Sequence, residues 1–251
     1  MIAYITGATS GIGKAIAFKL AEKKYDLIIT GRRKDKLKEI AKEIKEKYNI
    51  DVLSLNYDVR NREETLRINN SLPDKWKKID VLVNNAGLAV GLNPIHQGDI
   101  DDWERMIDTN VKGLLYVTRS IAPWMVERKK GHIFNIGSIA GKEVYANGNV
   151  YCGTKHAVDA LSKAMRIDMV NAGIKVTQIA PGAADTEFSL VRFKGDKNAA
   201  DKVYQGYTPL CGEDIADIVA LVLSLPQHVC LNDIVVTPTA QANVSHICKD
   251  S

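Results

Sequence analysis

The sequence has few of the features that mark disulfide-bonded, metal-binding or membrane proteins. Its 251 residues include four cysteines without paired spacing and five scattered histidines, a pattern that gives little support to a disulfide framework or a metal site. No apolar run is long enough to span a bilayer, and no secretory segment precedes the first predicted strand. We therefore expect a cytoplasmic protein with no bound metal and no membrane partner.

The chain also lacks a strong charge imbalance. It has 34 basic and 30 acidic residues, for a formal charge of +4. In the lysine-rich stretch 34–47 the basic residues alternate with acidic ones, which predicts a solvated helix face and not a nucleic-acid patch. With 45% hydrophobic and 25% charged residues the composition is that of a globular protein, and we expect one domain over residues 1–251.

Short apolar runs alternate with helical patterns along the chain. The runs predict strands buried on both faces at 2–6, 26–30, 52–57, 81–84, 133–136, 176–179 and 234–236. Helical spacing follows at 12–20, 34–48, 62–70, 101–127, 154–171 and 213–224. This alternation predicts an α/β fold, a Rossmann-like doubly wound parallel sheet of about seven strands with helices on both faces. Ligands of such a sheet bind at the carboxyl ends of the strands.

A glycine-rich turn, Thr-Gly-Ala-Thr-Ser-Gly-Ile-Gly at 6–13, follows the first predicted strand. It matches neither the G-x-G-x-x-G fingerprint nor a P-loop, because Ala8 and Ala15 stand where the P-loop needs glycine and Ser or Thr. A helix that opens near Ile12 would direct its first N–H groups at a pyrophosphate. Simple turn formation is the alternative. The candidate cofactor contacts here are Gly7, Thr9, Ser10, Gly11, Ile12 and Gly13.

Two arginines follow the second predicted strand. NAD-binding proteins usually place an acidic residue there, against the ribose 2′-hydroxyl, but this chain has Arg32 and Arg33 and no acidic residue between the end of the strand and Asp35. Guanidinium groups would pair with a 2′-phosphate, which favours NADP over NAD. Solvated arginines are the alternative.

Ser138, Tyr151 and Lys155 suggest a proton-transfer site. Tyr151 and Lys155 are four residues apart, so on a helix they share one face. A nearby ammonium and an oxidised nicotinamide would lower the pKa of the phenol from about 10. Tyr151 could then exchange a proton with a substrate oxygen to which Ser138 donates a hydrogen bond. A locally satisfied hydroxyl and a solvated helix face are the alternatives.

Together with Asn-Asn-Ala-Gly at 84–87 and with Asn110, these residues resemble the complete motif set of the short-chain dehydrogenase/reductase family, over essentially the whole chain. Within that family, the stretches 107–110, 148–151 and 186–196 resemble the NADP-dependent 3-hydroxy acid dehydrogenases, which act on serine, L-allo-threonine and related acids. The resemblance implies a homotetramer or homodimer, formed through the segments 101–127 and 154–171.

The resemblance also implies roles for individual residues. Asn110 would hold a water that links Lys155 to solvent, with a structural asparagine in the helix interior as the alternative. Lys155 would hydrogen-bond the nicotinamide ribose. Turn or capping roles are the alternatives for the remaining positions. The further dinucleotide contacts implied are Asp58, Val59, Asn85, Ala86, Gly87, Pro181, Gly182 and Thr186.

Two predictions concern the substrate. Arg192 is the candidate clamp for a substrate carboxylate, which a guanidinium binds in two-pronged fashion, with a surface arginine as the alternative. Residues 183–212, with an irregular polar stretch at 195–206, are predicted to form a substrate lid, with an ordinary surface excursion as the alternative.

The predicted function is that of an NADP-dependent oxidoreductase that interconverts a small 3-hydroxy acid and its 3-oxo acid, with Tyr151 as acid and base. One alternative is a 3-oxoacyl thioester or other carbonyl reductase of the same family. The other is a catalytically silent sensor that binds NADP. No nucleic-acid partner is expected.

Overall fold

Strands and helices alternate along the chain in the computed structural model, which describes residues 1–250. The strands are β1 (Ile2–Ile5), β2 (Asp26–Gly31), β3 (Val52–Asn56), β4 (Ile79–Asn84), β5 (His132–Ile136), β6 (Lys175–Pro181) and β7 (Asp233–Val236). The helices are α1 (Gly11–Glu22), α2 (Lys34–Tyr48), α3 (Arg62–Asn70), α4 (Ile100–Ile107), α5 (Leu114–Arg128), α6 (Asn149–Met169), α7 (Glu187–Arg192), α8 (Lys197–Lys202) and α9 (Gly212–Ser224).

The strands form one parallel sheet in the order β3-β2-β1-β4-β5-β6-β7. The chain winds outward from β1 to β3 and then returns to β4, which pairs with the other side of β1. The order therefore reverses between β1 and β4, and the crevice at this switch point is where a doubly wound sheet binds its ligands. The predicted Rossmann-like fold is confirmed.

Hydrophobic cores lie on both faces of the sheet. Ile5 and Ile29 pack into one core with α1, α2 and α9. Tyr4 and Ile28, their neighbours in sequence, point to the other face and pack with α5 and α6. Because successive strand residues face opposite sides, both residues of each pair are buried. This burial explains why the central strands are continuous apolar runs.

The two edge strands are exceptions to the predicted burial. In β3 only Val52 is buried and Asn56 is exposed, and β7 is more exposed. Val235 is 53% exposed, and the exposed Asp233 begins the strand. The prediction that these strands are buried on both faces is wrong, because β3 pairs only with β2 and β7 only with β6, at the two borders of the sheet.

The predicted helix at 101–127 is interrupted. α4 and α5 are separated by a wide π-helical turn, Asp108–Gly113, so a single helix is the wrong description. Such turns insert an extra residue and frequently occur at functional sites. This one contains Asn110. The next helix, α6, begins at Asn149 and not at 154, which places Tyr151 within it.

The segment 183–212, called the lid segment below, contains two short helices. Thr186 caps α7, its Oγ1 accepting from Phe188 N at 3.2 Å. Asp196 caps α8 through Ala199 N at 3.0 Å. Half of the stretch predicted to be irregular, 195–206, is therefore the helix α8, and turns make up most of the remainder. Across residues 1–250 no helix combines the length and apolarity needed to cross a membrane.

Candidate active site

The carboxyl ends of the central strands and the lid segment enclose a crevice of about 610 Å³. All the predicted site residues line it except Gly13 and Asn110. The structure thus brings together residues from the glycine turn, the two arginines, the end of β4, Ser138, α6 and the turn after β6.

The glycine turn is shaped by close approach. Gly7 has φ +67°, a conformation that favours glycine. A β-carbon on Gly13 would lie 2.3 Å from Nδ2 of Asn85 and 2.5 Å from the carbonyl oxygen of Gly7. Asn85 Nδ2 donates to the carbonyl oxygens of Thr6 at 2.9 Å and Gly7 at 3.2 Å. The absence of a side chain at Gly13 therefore leaves space for Asn85, whose hydrogen bonds connect the end of β4 to the glycine turn.

The N-terminus of α1 suits an anion. Ser10 precedes the helix in an extended conformation and makes no side-chain capping hydrogen bond, and the first turn contains no acidic residue. The first N–H groups of a helix lack partners within it and carry the positive end of its dipole. Since Ser10, Gly11 and Ile12 line the crevice, this end of α1 fits the pyrophosphate of a dinucleotide.

The two arginines differ in their contacts. The Arg33 guanidinium donates to Ser10 Oγ at 2.7 Å and to Glu187 Oε2 at 2.6 Å. Arg32 is 52% exposed, and its one ion-pair partner among residues 1–250, Asp58, lies at 4.0 Å. Asp58 is itself held by Arg60 at 2.7 Å. Partial burial raises the pKa of Asp58, but the hydrogen bonds from Arg60 more than offset this and lower it, so Asp58 is an anion.

Tyr151 and Lys155 lie on α6 at the buried end of the crevice. Lys155 Nζ donates to the carbonyl oxygen of Ile136 at 2.9 Å and lies 5.9 Å from the centre of the Tyr151 ring. Burial lowers the pKa of Lys155 to about 8. Burial also raises the pKa of Tyr151 well above its usual value, although a hydrogen bond with Ser138 opposes this.

The predicted lowering of the Tyr151 pKa depends on a bound oxidised nicotinamide and stays a prediction, whereas burial by the protein itself acts in the opposite direction. Removal from water disfavours the charged form of both groups, and the ammonium is bonded to a backbone carbonyl. At neutral pH Tyr151 carries its proton and is equipped to act as an acid.

Ser138 follows β5 in an extended conformation. Its Oγ accepts a hydrogen bond from Ala140 N at 3.1 Å and lies 3.4 Å from the carbonyl oxygen of Pro181. The hydroxyl is thus fixed beside Tyr151, and both hydroxyls can hydrogen-bond the same oxygen atom of a substrate.

Asn110 acts through its neighbours. Its Oδ1 accepts from Leu88 N at 2.8 Å, and its Nδ2 donates to Leu88 O at 2.8 Å and to Thr154 Oγ1 at 3.0 Å. The π-helical turn thereby joins the segment after β4 to α6. These contacts satisfy the buried amide, and the water-holding role stays a prediction.

Arg192 extends from α7 over the ring of Tyr151. Its guanidinium carbon lies 5.5 Å from the centre of the Tyr151 ring and 5.3 Å from that of Tyr145, and Nη2 donates to the Tyr145 hydroxyl. Its buried Nε–H has no partner among residues 1–250. The Arg192 carbonyl accepts from Gly91 N at 3.1 Å, which fixes this end of α7. A directed cation therefore lies beside the proton-transfer group.

Several residues that line the crevice were not predicted from the sequence. Gln241 packs against the turn after β6, and its Oε1 accepts from Ala183 N at 2.8 Å. Nothing in the local sequence marks such a residue. The aromatic residues Tyr145 and Phe188 flank predicted motifs, so proximity to Tyr151 and Thr186 was the available signal. The other residues that we did not predict include Glu187, Tyr204, Val244 and Ile247.

The fold and the crevice define an α/β protein with a dinucleotide-type site next to a proton-transfer site. The family model described as short chain dehydrogenase matches residues 1–196. The chain belongs to this family, as the motif set predicted.

Individual relatives match over nearly their full length. The NADP-dependent 3-hydroxy acid dehydrogenase of Salmonella typhi is 48% identical over 243 residues, which cover 96% of each chain. The protein of that name from Schizosaccharomyces pombe is 43% identical over 246 residues, 98% of this chain and 95% of the relative. A solved closed form of serine dehydrogenase complexed with NADP+ is 44% identical, with a TM-score of 0.92 and full coverage of both chains.

Proposed function

We propose that this protein is an NADP-dependent dehydrogenase that transfers a hydride between the cofactor and the hydroxyl carbon of a small, serine-like 3-hydroxy acid. The observation that carries the proposal is the position of Arg192, whose guanidinium lies 5.5 Å from the Tyr151 ring. A carboxylate bound there would place the hydroxyl a few atoms away near Ser138 and Tyr151. The names of the relatives agree with this substrate class.

The crevice fits NADP. The N-terminus of α1 and the glycine turn, Gly7, Thr9, Ser10, Gly11 and Ile12, would hold the pyrophosphate, and Arg32 and Arg33 are the candidates for the 2′-phosphate. When bound, NADP supplies the nicotinamide that accepts or donates the hydride. By family resemblance, Asp58 and Val59 would contact the adenine, Asn85, Ala86 and Gly87 the ribose side, Lys155 the nicotinamide ribose, and Pro181, Gly182 and Thr186 the nicotinamide amide.

The proton is handled by the protein. Tyr151 donates its hydroxyl proton to the substrate oxygen when a carbonyl is reduced and accepts the proton when a hydroxyl is oxidised. Ser138 donates a hydrogen bond to the same oxygen, so negative charge that develops there meets a fixed dipole. Because burial favours the neutral phenol, oxidation requires the Tyr151 proton to leave first and should accelerate as the pH rises.

For the assembly, we propose a homotetramer or homodimer that buries faces of α4, α5 and α6. Apolar side chains are exposed on these helices: Ile107 at 39%, Leu115 at 37% and Ile167 at 74%. Light scattering coupled to gel filtration tests the mass. We propose a cytoplasmic location, consistent with the unpaired cysteines among residues 1–250.

The activity is tested by initial rates of NADP reduction with L-serine, L-allo-threonine and 3-hydroxypropionate, beside NAD and a simple secondary alcohol. We expect saturable turnover with the acids and a preference for NADP. Turnover of 3-oxoacyl thioesters but not of free acids would select the thioester-reductase alternative. NADPH binding without turnover of any alcohol or carbonyl would select the sensor.

A further inference from the structure

The Arg33 guanidinium is committed to contacts on opposite sides of the crevice. On the glycine turn it donates to Thr9 Oγ1 from Nε at 3.1 Å and from Nη2 at 2.9 Å, and to Ser10 Oγ from Nη2 at 2.7 Å. On the lid segment it donates from Nη1 to Glu187 Oε2 at 2.6 Å. Lys36 adds a second cation at 3.3 Å from Glu187. These side chains leave Arg33 without the pair of free donors that a bidentate phosphate contact needs.

The backbone around Glu187 is also close to the glycine turn. A β-carbon on Gly11 would lie 3.0 Å from Cβ of Thr186, so the start of α7 lies directly against the first residue of α1. Gly11, Ser10, Thr186 and Glu187 all line the crevice. The ion pair therefore spans the crevice at the helix end that suits a pyrophosphate.

Glu187 is ionised and able to sustain this contact. Partial burial raises its pKa, but the hydrogen bond and charge of Arg33 more than offset that effect and lower the pKa below its usual value. Arg32 contrasts with Arg33, since its side chain is 52% exposed and its carboxylate partner lies at 4.0 Å. Arg32 is the guanidinium that remains available to a ligand phosphate.

We infer that the Arg33–Glu187 ion pair is a clasp that retains the bound dinucleotide under the lid segment, while Arg32 alone contacts the 2′-phosphate. Arg33 and Glu187 are positioning residues in this scheme, and the inference rests on the proposed function. The clasp crosses the pyrophosphate region, which NADP and NAD share. Its loss should therefore weaken both cofactors by the same factor, whereas loss of a phosphate contact would weaken only NADP.

The test is a double-mutant cycle of Arg33→Gln, Glu187→Gln and the double variant, with the charge swap R33E/E187R. Stopped-flow fluorescence measures NADPH and NADH release, and equilibrium titration measures both dissociation constants. We expect Glu187→Gln to release both cofactors about fivefold faster, as suits a half-exposed ion pair. In the Arg33→Gln background Glu187→Gln should have only a small further effect, from loss of the exposed Lys36 contact, and the charge swap should recover part of the loss. Glu43→Gln and Arg67→Gln, exposed changes elsewhere, are the matched controls.

Three outcomes would overturn the clasp. Tighter NADPH binding with unchanged NADH binding in Glu187→Gln would identify Glu187 as a competitor of the 2′-phosphate. A loss in Arg33→Gln confined to NADPH would make Arg33 a phosphate contact. Wild-type protein that binds neither cofactor would reject the proposed function itself, whereas wild-type binding with unaltered release in every variant would reject only the clasp. Thermal melts of each variant separate these effects from loss of folding.

Discussion

The two ends of the crevice use charge in different ways. At the arginine end the charged side chains are open to solvent: Arg32 is 52% exposed and Glu187 43%. At the tyrosine end Tyr151 is 8% and Lys155 6% exposed. Water and salt screen charges at the first end, so we expect its arginines to give only moderate selectivity between cofactors. At the second end removal from water shifts the proton equilibria, so chemistry depends on burial.

Substitution of Tyr151 by Phe should abolish proton transfer at the tyrosine end and leave cofactor binding at the arginine end unchanged. The ring and its packing against Phe188, with ring centres 5.6 Å apart, remain, but the proton donor is lost. We expect kcat to fall about 10³-fold, within the range of general acid–base catalysis. The dissociation constant for NADPH, measured by fluorescence titration, should change less than about twofold.

Tyr116→Phe, a tyrosine of α5 outside the crevice, is the matched control and should retain full activity. Residual turnover of Tyr151→Phe above about a tenth of the wild-type rate would contradict the acid–base role.

Lys155 should make protein stability depend on pH in a direction opposite to that of a salt-bridged lysine. Its pKa is about 8 in the folded protein instead of the ordinary 10.5. Below pH 8 both states bind the proton, and the folded state carries the full cost of a buried charge. Between pH 8 and 10.5 only the unfolded chain still binds it, so the free energy of unfolding should rise by up to about 3 kcal/mol.

Urea unfolding from pH 7 to 10.5 measures this effect. The comparison is between the free energies of unfolding of Tyr151→Phe and the double variant Y151F/K155M, because neither variant has a tyrosine at position 151 that could ionise. Between pH 8 and 10.5 the free energy of unfolding of the variant that retains Lys155 should rise relative to that of the double variant. Parallel curves would mean that Lys155 titrates as an exposed lysine.

Much of the fold and many of the crevice residues could be predicted from the amino-acid sequence. The strand ends, the glycine turn and the Ser138, Tyr151 and Lys155 set follow from apolar periodicity and motif spacing, because parallel strands bring their carboxyl ends to one edge. The fold and family predictions are confirmed. The roles of individual site residues stay predictions, even where the side chains line the crevice as expected.

The remainder depends on contacts between distant segments. The π-helical turn at Asp108–Gly113 has the same apolar pattern as a regular helix. The Arg33–Glu187 pair joins residues 154 positions apart, which no local pattern encodes. Sequence spacing places Lys155 near Tyr151. Only the packed structure shows that the Lys155 ammonium donates to the carbonyl oxygen of Ile136 and that burial raises the Tyr151 pKa.

Arg192 should link the tyrosine end to substrate choice. We expect Arg192→Gln to lower kcat/KM for a 3-hydroxy acid about 100-fold, since a desolvated carboxylate loses its charged partner. A secondary alcohol without a carboxylate should be oxidised at an unchanged rate. Equal losses with both substrates would indicate that Arg192 acts on Tyr151 or Tyr145 and not on the carboxylate. Arg67→Gln is the control.

The smallest effect should come from Arg32, at the open end. Arg32→Gln should raise KM for NADP about tenfold and leave KM for NAD unchanged, because a hydrogen bond to a charged group contributes about 1.5–3 kcal/mol and exposure reduces it. The wild-type preference for NADP should also shrink as salt is raised from about 0.05 to 0.5 M, since the Debye length falls. The variant should show little salt dependence. If salt leaves the wild-type preference for NADP intact, a buried contact selects the cofactor. The arginine end would then not depend on solvent-screened charges, contrary to the comparison with the tyrosine end.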